Sequence, residues 1–568
     1  MSQIRGLVNF IGDIRNCKTE EEERSRVDKE LAKIRASFSK TSVGSYAKKK
    51  YMWKIMYMYT LGYTVEFGHM QCVDLIRSDS YSEKNVGYVG VSLLLIEHTD
   101  MLRMCINTIR IDLKSRNEIF QCLALTCVAN VGGPEFAESL VPDVQALLIS
   151  GTSRNFVRKK SALCLLRLLR QYPDNCPSAQ VAPQIIKLAE HRNVGVVTSV
   201  LSLLTGLATY DNESYAGIVA VAIRLLHQFV INRECSKEYI YYRTPCPWLQ
   251  VKLLRILQYY EPPKDKNLLN KLHDILDRIV TKTEVTQSVN KNHADHSILF
   301  EAMNVIIHLN LHGEDMLHDR AIHKLLHFIN VKEGNIRYLG LDAMARLAKI
   351  ANTHKLIKRH LRTIQYSLDD SDISIRKRAL DLLYSICDED NVVEIIEHLL
   401  RYLNKAEYGI REEMVLKIAI LAEKYATDYQ WYIDVILKLL TVAGDFVSED
   451  VWHRVVQIVT NNEELQSYAA EKVLVLLQSP PIHESMIKVA GYILGEFGHL
   501  IEQSKASGSE QFDTLYKHFQ SCSPDTKALL LSTFMKFINM YDDLNEKILT
   551  LFKSHHSAID PEIQQRSV

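Results

Sequence analysis

The sequence predicts an all-α protein made of stacked helix pairs, and three observations carry that prediction. Helix breakers are scarce, with 22 glycines and 13 prolines in 568 residues. Apolar residues recur at helical spacing, with no stretch that alternates as a strand does. The chain also repeats itself. Arg116-Asn117, Arg154-Asn155 and Arg192-Asn193 are spaced 38 apart, and apolar residues follow at a constant offset: Leu125, Leu163 and Leu201, then Val128, Leu166 and Leu204. A second set follows, with Arg337 and Arg376 spaced 39 apart, Leu341-Asp342 matched by Leu380-Asp381, and Arg411 with Val415 continuing it. A period of about 35–40 residues holding two helical patterns is that of a HEAT or armadillo-like solenoid, a right-handed superhelix of helix pairs.

Taken in order, Arg5–Ile14 reads as a short helix. Thr19 with Glu22 three residues on is a capping-box signature for a second helix. That helix carries Val27, Leu31 and Ile34 inward and turns a charged face, Glu20 to Lys33, to solvent. A polar connection at Ser37–Ser45 leads to the helix SYAKKKYMWKIMYMYTLGY, which is basic at one end and apolar beyond. Residues 1–60 contain 13 Lys and Arg against 7 Asp and Glu, whereas the whole chain has 68 of each. The positive charge is therefore local, and a local excess attracts an anionic surface or headgroup. Lys50 and Lys54 lie one helical turn apart on that face.

In the repeats, the arginine near the start of each second helix can reach a carboxylate or carbonyl of a neighbouring repeat. Arg158, Arg337, Arg376 and Arg411 are read as structural, with Asp369, Asp370 and Asp372 as candidate partners. Three stretches interrupt the rhythm: Asn232–Gln250 with its TPCPW run, a polar loop at Lys282–Ser297, and a small-residue linker at Ser504–Glu510. None has the composition of an interdomain tether, so residues 1–568 are expected to form one solenoid trunk with a basic region at 1–62.

Composition and motifs narrow the function. No run of about eighteen apolar residues is present, and MSQIRGLVNF lacks the apolar core of a signal peptide, so a cytosolic protein is expected. The eleven cysteines form no CxxC pair and are expected to be reduced and structural. No Walker loop, GxGxxG after a strand or GxSxG elbow occurs. The pairs His308/His312 and His323/His327 have metal-like spacing but lack the glutamate of a HExxH site, and read as surface or capping residues. Carboxylate pairs such as Glu412-Glu413 and Asp369-Asp370 are placed at helix starts, where they complement the macrodipole. The expectation is a non-enzyme with no cofactor and no metal. It is also one that does not bind nucleic acid, since the array lacks a continuous basic stripe.

Several stretches then carry a resemblance. RGLVNFIGDIRNCKTEEEERSRVDKELAKIR, YAKKKY, EFGHM at Glu66–Met70, NVGVVTS at Asn193–Ser199, PWLQVKLLRILQYYEPP, REEMVLKIAILAEKYA at Arg411–Ala426 and GYILGEFG at Gly491–Gly498 resemble the alpha-adaptin family. Its members are large subunits of the plasma-membrane clathrin adaptor, adaptor protein complex 2. The match runs over essentially the whole chain, and YAKKKY and PWLQVKLLRILQ favour alpha over the gamma, delta and epsilon types. The resemblance implies a trunk in a heterotetramer with a beta-type large adaptin, a medium and a small chain. A hinge and appendage that reach clathrin machinery would follow Val568. It implies binding of phosphatidylinositol 4,5-bisphosphate at the cytosolic face of the plasma membrane, in coated pits, through Arg5, Gly6, Tyr46, Lys48, Lys49, Lys50, Tyr51 and Lys54. Ser37 stands where the family has lysine, in a connection one residue shorter, and Lys40 is the nearby cation that takes its place. The resemblance further assigns Arg15 to the hydrophilic position of acidic dileucine cargo signals. The alternative is a solenoid scaffold or transport receptor whose basic end binds an acidic protein.

Overall fold

The computed structural model describes residues 5–40, 43–96, 99–175, 177, 179–309, 315–350, 353–426, 428–479, 482–502 and 506–568. These are helical almost throughout, and they divide into two compact units, Met1–Gly313 and Glu314–Val568.

In the first unit, α1 (Arg5–Asn16), α2 (Glu20–Phe38) and α3 (Ser45–Thr60) pack on one another and lead into α4 (His69–Ile76) and α5 (Tyr81–Leu94). Thr19 caps α2 by accepting from the Glu22 amide at 3.3 Å. The Glu22 carboxylate reaches back to the Lys18 amide at 3.0 Å, one residue short of the reciprocal capping box the sequence predicts. Then come α6 (Thr99–Leu113), α7 (Glu118–Val131), α8 (Pro134–Ile149), α9 (Asn155–Gln171), α10 (Ala182–Leu188), α11 (Val194–Ala208), α12 (Ile218–His227), α13 (Pro247–Leu257), α14 (Lys266–Lys282) and α15 (Val289–Leu309). The odd-numbered helices α5 to α15 form one row, each against the next, and α4, α6, α8 and α10 form a second. Two rows of this kind are what repeated helix pairs produce when each buries its apolar face on its neighbour.

The repeat register holds with one exception. Leu125, Leu201, Val128, Leu166 and Leu204 are all buried, whereas Leu163 is 47% exposed. Asn117 and Asn193 each cap a helix by accepting from backbone amides, but Asn155 already lies inside α9. In α9 the burial falls on Ala162, Cys164 and Leu165, and Leu163 faces outward between them.

Row contact is close where α5 crosses α4. A Cβ on Gly87 would lie 2.7 Å from the Ile76 amide nitrogen, so only glycine permits that approach. Immediately beside it, Lys84 is buried and donates to both Asp112 oxygens, at 2.9 and 2.7 Å, and to the Ile76 carbonyl at 2.6 Å. Tyr88 donates to the same carboxylate.

The predicted irregular stretch after α12 is structured. A π turn over Gln228–Asn232 leads to a minimal hairpin, β1 (Ile240–Tyr241) antiparallel to β2 (Thr244–Pro245). Its two central residues, Tyr242 and Arg243, have φ of 45° and 70°, the signs a type I′ two-residue turn requires. Neither is the usual Asn or Gly, so each carries strain of about 1–3 kcal/mol. The hairpin is held from outside: Thr244 donates to Asp295 at 2.6 Å, Gln250 to the Pro245 carbonyl at 2.6 Å, and Asn290 to Tyr242 at 2.9 Å. The polar loop expected over Lys282–Ser297 ends early, because α15 begins at Val289. Its polar residues serve as ties, as when Asn292 accepts from the Thr286 amide at 2.8 Å. The ten described cysteines are free thiols.

In the second unit, helices Gly334–Leu347, Ile373–Ser385 and Tyr408–Lys424 form a row, as do Glu484–Phe497, Pro524–Met540 and Pro561–Ser567. The predicted linker at Ser504–Glu510 is instead a helix start where it is described. Ser507 and Glu510 form a reciprocal capping box for Gly508–Phe519. Residues 503–505 lie outside the described residues.

The repeat arginines are structural, as expected. Arg337 grips Asp370, 33 residues on, through Nε at 2.8 Å and a second nitrogen at 3.2 Å. Arg376 reaches Glu407 at 2.9 Å, Arg411 the Ala406 carbonyl at 2.8 Å, and Arg158 the Ser150 carbonyl at 2.6 Å. Glu412-Glu413 lie past the first turn of their helix, and Glu413 pairs with Lys417 at 2.6 Å.

Asp112→Ala leaves the Lys84 ammonium buried without its counter-charge and is expected to cost about 3–5 kcal/mol. Urea denaturation measures it, and a loss below about 1 kcal/mol would show the pair to be dispensable.

Candidate functional site

The basic end of α3 sits at a junction with α1, α2, α4 and α5. Gly44 precedes α3, and no side chain caps its first turn. From that start, Lys48, Lys49 and Lys50 fan out over about one helical turn, and each meets a different neighbour. Lys48 is 3.4 Å from Asp74 of α4. Lys49 donates to Ser82 of α5 at 2.9 Å. Lys50 lays its ammonium 4.5 Å from the centre of the Tyr51 ring, and its alkyl stem packs on α1 at Gly6. A Cβ there would come within 2.9 Å of the Lys50 Cδ, so Gly6 is the position that lets the lysine lie against the helix. Tyr46 is 57% exposed. Arg5 is exposed at the start of α1, and Lys40 is exposed on the turn after α2.

Tyr51 ties the patch to α2. Ser37 donates to its hydroxyl at 3.3 Å and to the Lys33 carbonyl at 3.0 Å, and Phe38 packs edge-on against its ring at 5.9 Å. The Ser37 hydrogen bond, then the charges of Lys50, Lys33 and Lys54, hold the phenol below its ordinary range. Ser37 therefore serves as an orienting group for the Tyr51 phenol. Lys33, on the charged face of α2, joins the field around Tyr51.

Lys54 does not share the exposed face. It is 6% exposed, and its ammonium lies 2.6 Å from Glu30, itself 3% exposed. Glu30 also accepts from Arg26 at 2.9 Å, and Arg26 reaches Asp13 of α1 at 2.9 Å. The reason is geometric: one turn beyond Lys50, α3 is already inside the three-helix junction, where Lys54 and Arg26 flank the buried Phe10 ring at 5.1 and 4.9 Å. Burial alone would push the Glu30 carboxyl up. Hydrogen bonds from Lys54 and Arg26 outweigh it and hold the acid below its ordinary value. The patch also has acidic neighbours that the sequence did not reveal. Glu83 is held low by Ser45 and Ser78 and then by the charges of Lys49 and Lys48, and Asp74 pairs with Lys48.

Arg15 is exposed in the last turn of α1, apart from the cluster on α3. Among the described residues no group of three or more His, Cys, Asp and Glu could hold a metal ion. No described helix is long and apolar enough to cross a membrane. His312 lies outside the described residues. His308 meets the Tyr260 carbonyl at 3.2 Å, and His323 lies 3.7 Å from Asp319.

Lys54→Met, which strands Glu30 with Arg26 alone, is expected to cost about 3 kcal/mol, whereas Lys49→Gln at the surface should stay within about 0.5 kcal/mol. Chemical denaturation compares them. Because the Glu30 carboxyl is depressed in the folded state, its stabilisation is complete above the ordinary value of 4.5. It is lost as pH falls through the lower folded value. Glu30→Gln should remove that acid limb, and a variant whose pH profile parallels the parent's would refute the assignment.

The chain is similar throughout to curated proteins of two organisms. It is 49% identical over 574 residues to AP-2 complex subunit alpha-1 of Arabidopsis thaliana, covering 100% of this chain and 56% of that protein. It is 46% identical to AP-2 complex subunit alpha-2 of Dictyostelium discoideum, covering 100% and 58%. The chain thus spans a little over half the length of the curated relatives it matches. A likeness of fold alone, at 19% identity and a TM-score of 0.53, extends over 92% of this chain and 93% of a chain in a homology model of the full-length AP-3 complex in an intermediate open conformation. The family model described as the adaptin N terminal region matches residues 23–568, and the chain belongs to the adaptin family.

Proposed function

We propose that this chain is the solenoid trunk of an alpha-type large subunit of a heterotetrameric clathrin adaptor, and that it docks on phosphatidylinositol 4,5-bisphosphate at the cytosolic face of the plasma membrane. The kinship with proteins named AP-2 complex subunit alpha supports the first part. The observation that carries the second is the fan of Lys48, Lys49 and Lys50 on one rigid helix turn. Lys50 lies between Gly6 and the Tyr51 ring, and none of the three is buried. A bisphosphorylated headgroup presents several negative charges in a small volume, and ammonium groups with a neighbouring phenol hydroxyl match them through charge-assisted hydrogen bonds. Arg5, Lys40 and Tyr46 extend the surface at its rim. Lys54 supports from behind, fixing α3 on α2 through Glu30.

Each exposed cation near an anionic leaflet contributes about 1 kcal/mol, so this patch alone binds weakly and reversibly. Partner adaptins, a beta-type large chain with a medium and a small chain, would supply further contacts and hence avidity. Arg15 is proposed to meet the hydrophilic residue upstream of an acidic dileucine signal, where an exposed guanidinium suits a polar or acidic side chain. The role is scaffolding and cargo selection in endocytosis, with no chemical step.

Changing Lys48, Lys49 and Lys50 together to Gln is expected to remove most binding to vesicles containing phosphatidylinositol 4,5-bisphosphate while leaving helicity and Tm intact. Sedimentation with vesicles measures it, and undiminished binding refutes the patch. If binding to an acidic protein partner falls while vesicle binding stands, the scaffold alternative is the better account. Arg15→Ser should weaken capture of acidic dileucine peptides and spare tyrosine-based ones. Equal loss of both would count against a local role.

A further inference from the structure

A second concentration of positive charge lies far along the first unit, around the strained hairpin. Between the π turn, the hairpin, α14 and α15 is an open cavity of about 290 Å³, lined by Arg233, Arg243, Arg278, Lys282 and Lys291, with Asp295 as its one carboxylate. That size is near the lower end of small-molecule sites. We propose that this cavity binds a compact polyphosphate anion, a solute or lipid headgroup carrying clustered phosphoryl groups.

The ordinary explanation for cations here is helix polarity, and it does not suffice. Arg278 and Lys282 lie one turn apart at the C-terminal end of α14, where positive charge is favoured. Lys291, however, is in the first turn of α15, where positive charge is disfavoured. Arg233 and Arg243 are outside the helices, and both hold positive φ, 58° and 70°. A left-handed backbone at an arginine is uncommon, and here two arginines that line one cavity adopt it.

Pairing separates this cluster from the repeat arginines. Arg158, Arg337, Arg376 and Arg411 all donate to a neighbouring element. No hydrogen bond or ion pair engages the side chains of Arg233, Arg243, Arg278 or Lys282 among the described residues. Asp295 does not offset them, since it accepts from Thr244 at 2.6 Å and its other oxygen is 3.9 Å from Lys291. Lys282 stands at the exposed rim of the cavity, where desolvation and then the like charges of Arg278 and Arg233 lower its affinity for its proton. An anion seated between them would relieve that repulsion. Guanidinium forks from separate elements with ammonium groups between them suit the oxygens of adjacent phosphoryl groups better than a single carboxylate.

The test uses the full-length protein with its natural subunits, carrying Lys48→Gln, Lys49→Gln and Lys50→Gln throughout so that the first patch contributes nothing. Calorimetric titration with inositol hexakisphosphate is compared with sedimentation on phosphatidylcholine vesicles with and without phosphatidylinositol 4,5-bisphosphate. Adding Arg278→Ala with Lys282→Ala should weaken binding of the soluble probe by roughly tenfold or more. Removing the same charge elsewhere on and before α14, with Lys264→Ala and Lys271→Ala, should change it less than about twofold. Arg243→Gly, which removes a cation while suiting the left-handed backbone, should also lose affinity without loss of fold. Loss on both probe and vesicles assigns a lipid headgroup, and loss on the soluble probe alone assigns a free anion; either supports the site. Absence of binding before the substitutions, equal loss in the charge-matched control, or tighter binding of a phosphoserine peptide than of the probe overturns it.

Discussion

A helix pair with apolar residues on two faces is unstable until both faces are covered, and everything else in this molecule follows from how that requirement is met. Successive pairs cover one another, so the helices fall into rows and each boundary repeats the last. Boundaries of this kind bring helix starts of one repeat near helix ends of the next, where unpaired carbonyls accumulate. Arginine fills that position again and again. Arg337 shows why: one guanidinium takes the Val331 and Lys332 carbonyls and the Asp370 carboxylate together. A single side chain therefore ends one helix, starts another and fixes their spacing.

The same rule sorts the charges of the N-terminal helices into two kinds. A cation that enters a junction must bring an anion, because an unpaired buried charge costs several kcal/mol. Lys54 with Glu30, and Lys84 with Asp112, satisfy this condition at 2.6 and 2.7 Å. A cation left at the rim faces no such demand, and its acidic neighbours are few and longer-ranged, as with Lys48 and Asp74 at 3.4 Å. Position along α3 decides which kind a lysine becomes. Lys48 to Lys50 precede the junction, and Lys54, one turn later, is inside it. The buried pair is then what gives the half-buried lysines of the rim a fixed direction.

Much of this was legible in the sequence. The helix-pair period, the structural arginines and the basic end of α3 all follow from spacing and composition, because a repeat imposes the same packing problem at regular intervals. What could not be read depends on contacts between distant segments. Lys50 and Lys54 look alike on a helical wheel; only the approach of Glu30 from α2 separates them. Asp74, Ser82 and Glu83 become neighbours of the patch through the α4–α5 crossing, which Gly87 permits. Leu163 shares an offset with the buried Leu125 and Leu201, yet it is 47% exposed, while Ala162, Leu165 and Leu166 keep the burial of their counterparts in α7 and α11. The polar runs at 282–297 and 504–510 misled for a common reason. Asparagine and serine that cap or tie helices have the composition of a loop.

The hairpin of the first unit is the place where local preference and structure disagree most. Tyr-Arg is a poor choice for a turn that needs two positive φ values, and Cys246 adds a third left-handed residue just after it. Such strain persists only where surrounding contacts over-determine the backbone. The three hydrogen bonds through Thr244, Gln250 and Tyr242 do so here. They hold the turn against α13 and α15 and leave the arginine at its tip lining the cavity rather than in a packed boundary. The repeat arginines Arg158, Arg337, Arg376 and Arg411 serve the stacking of helices; those that line the cavity make no such contact, and their chemistry is free for a ligand.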